Sequence, residues 1–123
     1  MNNEAAKNDK IAYERAMDLR EQWGLGNAPI TDIKSLVNTK DFLLLLFPTQ
    51  LEVDGLTLEK YDAGKLVNCI YANSNRPLGR VYFTIAHELY HIYYEKSDKD
   101  KVTSIDYKDP VEWRAEAFAG CLW

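Results

Sequence analysis

The chain has only two histidines, His87 and His91, set four residues apart in the run His87-Glu88-Leu89-Tyr90-His91. On a helix that spacing puts both attachment points on one face, about 6 Å apart, so two imidazoles can share a metal ion. Glu88 projects about 100 degrees round from His87, too far to be the natural third partner but well placed to reach a water held by the metal. That is the position of a general base. A catalytic zinc normally takes three protein ligands and keeps a fourth position for water, so one donor must come from elsewhere.

With no further histidine, the third donor is expected to be a downstream carboxylate, and Glu112 and Glu116 share one later segment. Glu112 points more nearly toward the apolar stripe of that segment, that is, toward the core. Another explanation needs no metal: Asp109-x-x-Glu112 fits a capping box, and a first-turn carboxylate is favoured by the helix dipole. Against it, carboxylates at i and i+4 repel, and the repulsion is relieved if one binds a cation while the other accepts a histidine proton. Glu112 is therefore the expected third ligand. Glu116 is the expected hydrogen-bond partner of the free ring nitrogen of His87 or His91. Arg80, seven residues before His87 on the same face, either touches substrate or closes an ion pair. Cys69 and Cys121 are too few and too far apart for a disulfide framework, and neither is a strong metal candidate.

These side chains need elements to hold them. Ala5, Ala12, Ala16, Leu19 and Trp23 recur at helical spacing from about Glu4 to Trp23, with Gly24 and Gly26 as the stop. Thr31-Asp32 can cap a short second helix carrying Ile33, Leu36 and Val37 and ending near Asn38. Phe42 to Phe47 is an apolar run closed by Pro48, suited to a buried strand. Leu56 to Tyr61 and Lys65 to Ala72 flank Asp62-Ala63-Gly64 and read as a hairpin, so the three runs suggest a small antiparallel sheet. Pro77 can open a long helix to about Glu95, apolar over most of its circumference, with Thr84, Glu88 and Glu95 in one polar sector and His87 and His91 at its edge. Asp109-Pro110 starts a last helix toward Trp123, striped by Ala115, Phe118, Ala119 and Leu122. The alternating charges of Glu95 to Lys101 read as a solvated connecting loop.

At 123 residues, one domain spanning the whole chain is expected. A formal charge of -4 argues against a surface that tracks phosphates, and no run approaches the roughly 18 apolar residues of a membrane span. The start Met1-Asn2-Asn3-Glu4 lacks the features of a secretory signal, so a cytoplasmic protein with reduced thiols is expected, touching neither nucleic acid nor membrane.

The stretch Arg80-Val81-Tyr82-Phe83-Thr84-Ile85-Ala86-His87-Glu88-Leu89-Tyr90-His91 closely resembles the ImmA/IrrE family of metallopeptidases, whose pattern runs Arg-x-x-Phe-Thr-x-Ala-His-Glu-x-x-His. Cys69 to Asn75 resembles that family's strand and Asn-containing turn before the active-site helix. Glu112 to Ala119 resembles its Glu-x-x-Ala-Asn/Asp-x-Phe-Ala segment, whose first position carries the third ligand. Glu116 departs from the pattern, standing where Asn or Asp is usual, and the ending Cys121-Leu122-Trp123 stops where similar proteins continue, so the domain is expected to be C-terminally shortened.

The resemblance implies an α+β, zincin-like fold: N-terminal helices, a small sheet, the active-site helix and a C-terminal ligand helix. It also implies a zinc-dependent endopeptidase, with manganese as an alternative metal, that cleaves a helix-turn-helix repressor in a phage, a mobile element or a stress response. The alternative function on the same fold is a regulatory module that holds a repressor without cutting it.

Overall fold

Alanines space the first contact. Helix α1, Asn3–Gln22, buries Ala12, Ala16 and Leu19 completely. It packs along the last helix, α4, Pro110–Leu122, which buries Ala115, Phe118, Ala119 and Leu122. Small side chains on both helices permit a close approach of their axes. Arg20, buried near the end of α1, donates to the carbonyls of Gly26, Ala28 and Leu122, tying the turn after α1 to the C-terminus of α4. A cation belongs there, because the last carbonyls of a helix lack partners and carry partial negative charge. The computed structural model describes residues 3–38, 42–96 and 109–122. The expected run of the last helix up to Trp123 reaches one residue beyond them.

The short helix α2, Ile33–Asn38, is capped by Asp32, whose carboxylate accepts from the amides of Lys34 and Ser35. The strands β1, Phe42–Phe47, β2, Gly55–Asp62, and β3, Lys65–Asn73, lie in the order β1-β3-β2. β2 and β3 form the expected hairpin, turning at Ala63 and Gly64, both with positive φ (52° and 80°), as a two-residue primed turn requires. β1, however, pairs parallel with β3, so the sheet is mixed and the expectation of an antiparallel sheet is corrected. An apolar run identifies a strand without giving its direction. The direction follows from residues 48–54, which carry the chain over the C-terminal end of β3, from Phe47 opposite Asn73 to Gly55 opposite Ala72.

Asn73 holds that crossover. Its fully buried amide accepts from the amides of Thr49 and Asn75 and donates to the carbonyls of Thr49 and Val53. Its own backbone amide donates to Asp54.

One face of the sheet joins the core through Phe42, Leu44, Ile70 and Ala72. Against it lies α3, Leu78–Tyr93, packed on β2 and β3. Pro77 is the residue before the helix rather than its first member, and the helix ends at Tyr93, two residues short of the expected Glu95. Among the described residues, four helices around a small sheet make an α+β fold. Among the described residues no helix is long and apolar enough to cross a membrane.

Candidate metal centre

The polar sector of α3 meets α4 and the sheet rather than open solvent. His87, Glu88 and His91 are 1%, 0% and 2% exposed, and Glu112 in the first turn of α4 is 2% exposed. Four ionisable groups this deeply buried are not tolerated by a core without partners of opposite charge or a cation.

Three of them converge. His87 Nε2 lies 2.9 Å from Glu112 Oε2, His91 Nε2 lies 3.2 Å from Glu112 Oε1, and the two Nε2 atoms are 3.2 Å apart. His87, His91 and Glu112 are the group whose ligand atoms could hold one metal ion. Bonds of about 2.0–2.1 Å to a tetrahedral zinc set donor atoms about 3.3 Å apart, close to these spacings.

The other ring nitrogens explain the orientation of both imidazoles. His87 Nδ1 is 2.6 Å from Glu116 Oε2, and His91 Nδ1 is 2.9 Å from the backbone oxygen of Glu95. A carbonyl only accepts, so His91 carries its hydrogen on Nδ1, and in the neutral ring Nε2 presents a lone pair. His87, donating to Glu116 from Nδ1, does the same. Two imidazole lone pairs and a carboxylate then face one another, a set of donor atoms that fits a cation.

Without a metal, a proton takes that role. Burial alone pulls the pKa of His87 down, but its hydrogen bonds to Glu112 and Glu116 outweigh burial and raise it to about 9. Burial pushes Glu112 up, and its bonds to His87 and His91 more than offset this, holding it at about 2. The centre attracts positive charge whichever form that charge takes.

Around this centre the structure distributes the remaining candidates. Glu112 faces the histidines, so its place in the first turn of α4 is not that of a capping-box glutamate. Glu116 also lies 3.7 Å from Arg80, whose guanidinium donates to Asp54 Oδ2 at 2.9 Å. Arg80 thus closes an ion pair. Asp54, the last residue of the crossover, is also held by Arg76. Glu88 accepts a 2.5 Å hydrogen bond from Thr57 Oγ1 on β2. Cys69 and Cys121 are free thiols away from the cluster.

The sequence reading missed Thr57, Asp54, Glu95 and Arg114. The sequence puts Glu95 at the end of the long helix's polar sector and at the start of an alternating, solvated charge run, of which residues 97–101 lie outside the described residues. Its carboxylate instead accepts from Arg15, from the Tyr90 hydroxyl and from both Nε and Nη2 of Arg114, which keep its pKa near 2.

The family model of the IrrE N-terminal-like domain, Peptidase_M78, matches residues 39–123, which include every residue of the centre. None of the curated proteins compared with the chain matches it.

Proposed function

The chain belongs to the IrrE N-terminal-like family of metallopeptidases, and from that premise we propose that it is a zinc-dependent endopeptidase whose substrate is a helix-turn-helix transcriptional repressor. The observation that carries the reading is the convergence of His87 Nε2, His91 Nε2 and Glu112 beside the buried carboxylate of Glu88. In this reading His87, His91 and Glu112 hold the zinc. When bound, zinc supplies Lewis acidity, making water more acidic and polarising a peptide carbonyl. Glu88 takes the proton of the attacking water and passes it to the amine that leaves when the peptide bond breaks. Glu116 fixes the ring of His87 through Nδ1 and makes it a better electron donor.

The net charge of -4 argues against a phosphate-tracking surface, which favours a protein rather than DNA as the target of such a regulator. That supports the repressor as substrate, together with the kinship. The test is to read the adjacent gene for a helix-turn-helix repressor and to co-incubate the zinc-loaded protein with that repressor, with and without chelator. Fragments that vanish on chelation are the expected result; a stable complex with no fragments would overturn the protease reading. In the same assay Glu88→Gln should retain one zinc per chain and cut nothing, while His87→Ala should lose the metal. Full cleavage by a pure Glu88→Gln preparation would sink the assignment of the base.

A further inference from the structure

On the face of the sheet that packs against α3, Phe42, Leu44, Ile70 and Ala72 are apolar, but Thr57 of β2 is not. Thr57 sits opposite Ile70 and differs in shape from valine only by its hydroxyl, yet that hydroxyl donates to the fully buried Glu88. A core built for stability alone would place two apolar side chains here, because a buried carboxylate is worth less to folding than well-packed hydrocarbon.

A second observation shows that the contact is set by the backbone. A Cβ on Gly55 would stand 2.5 Å from Thr84 Cγ2 and 2.5 Å from the carbonyl oxygen of Tyr71. Only glycine lets β2 lie this close to α3. Gly55 and Thr57 are two residues apart on a strand, about 6.6 Å, while Thr84 and Glu88 are four apart on a helix, about 6 Å. Strand and helix therefore run in step. The close approach at Gly55 against Thr84 brings Thr57 to Glu88 one turn further on.

We infer that Thr57 is the positioning residue for Glu88: its hydroxyl pins Oε2, which fixes the rotation of the carboxyl group and so the place of Oε1. This rests on Glu88 being the proton carrier of the proposed peptidase. Thr57 is outside the group that could hold the metal, and its role is exerted through the carboxylate. Through this contact β2 contributes to the chemistry although it carries none of the metal-binding side chains.

The test needs no knowledge of the natural substrate. Acetohydroxamate is the probe, a small chelating ligand whose acidic N–OH proton is taken by a nearby carboxylate, titrated against the zinc-loaded protein. Thr57→Val should keep one zinc per chain, with affinity within about threefold, and bind acetohydroxamate about tenfold more weakly, the loss expected for one hydrogen bond to a charged group. Thr57→Ser should restore the binding. In a Glu88→Gln background Thr57→Val should have no further effect, a non-additivity that a merely structural role would not produce. Wild-type affinity in Thr57→Val, or an equal loss in the Glu88→Gln background, would overturn the inference. Should Thr57→Val not fold, the pair Thr57→Ser and Thr57→Ala makes the same comparison. A wild-type protein that takes up no zinc, or holds zinc and binds no hydroxamate, fails differently: it removes the peptidase reading itself.

Discussion

The two histidines lie on the same helix face, yet they are held in different ways. His87 is oriented by a side chain, the carboxylate of Glu116, which lies 3.7 Å from Arg80 and through it is linked to Asp54 at the end of the crossover. His91 is oriented by the backbone oxygen of Glu95, and the position of that carbonyl is set by the side chain of the same residue, clamped by Arg114 of α4 and Arg15 of α1. One ring has a charged partner that can be removed by mutation. The other has a partner that no substitution deletes, only loosens. The carboxylate adds charge to its ring, whereas the carbonyl adds direction, so changes on the two sides should affect different properties.

The largest expected effect is on pH. With its pKa at about 9 in the metal-free protein, His87 keeps a proton that metal must displace at any lower pH. Apparent zinc affinity should therefore rise about tenfold per pH unit from 7 toward 9 and flatten above it, roughly 100-fold in all. The metal-free fold should respond in the opposite sense. A raised folded-state pKa stabilises fully below the ordinary value near 6.5, and that stability is lost as pH rises through 9. Competition titrations with a chromophoric chelator and thermal melts across this range check both signs. A pH-independent zinc affinity between 7 and 9 would break the account of His87.

Next in size is Arg114→Met, on the His91 side. It leaves Glu95 without its forked partner in a part-buried cluster where Arg114 is only 15% exposed, and should destabilise the fold by about 2 kcal/mol. Because Arg114 also binds Asn8, α1 should loosen from α4 as well. Chemical denaturation measures the loss. The loss should grow smaller as pH falls through 4.5 toward 2, where Glu95 takes up its proton: its depressed pKa contributes stability above the ordinary carboxylate value and loses it below.

Glu116→Gln probes the other side and should do the reverse, leaving the fold nearly unchanged while weakening zinc binding by about tenfold. It should also lower the pH at which zinc affinity levels off, since one of the two carboxylates holding the His87 proton is gone. Equal effects of Arg114→Met and Glu116→Gln on both stability and metal affinity would erase the distinction between the two rings.

The same distinction explains what the sequence disclosed. His87, Glu88 and His91 are legible because their spacing matches one helix, and Glu112 and Glu116 because their position on a second helix can be weighed against its apolar stripe. Helix α3 was visible over nearly its full length for the same reason, its pattern being local. Glu95 and Thr57 were not legible. What Glu95 gives to His91 is a carbonyl, which every residue has, and what Thr57 gives to Glu88 depends on a strand 31 positions earlier lying in step with the helix. The parallel direction of β1 was hidden likewise, because it is fixed by a crossover pinned by one buried side chain, Asn73, rather than by any property of Phe42 to Phe47.

The smallest expected effect tests how far the His87 side reaches. Arg80 spans from Asp54 to Glu116 with its guanidinium 5.4 Å over the Phe83 ring, a geometry that uses the planar fork and not only the charge. Its distance to Glu116 is longer than a hydrogen bond, and it is 29% exposed, so its hold on the carboxylate is weak. Arg80→Lys keeps the charge, gives up the fork and should lower zinc affinity by no more than about threefold, with Asp54→Asn giving a similar small loss. Both losses should disappear in a Glu116→Gln background, because the path from Asp54 to the metal runs only through that carboxylate. If Arg80→Lys instead leaves zinc affinity untouched and weakens substrate binding, Arg80 contacts the substrate, and the support of His87 ends at Glu116.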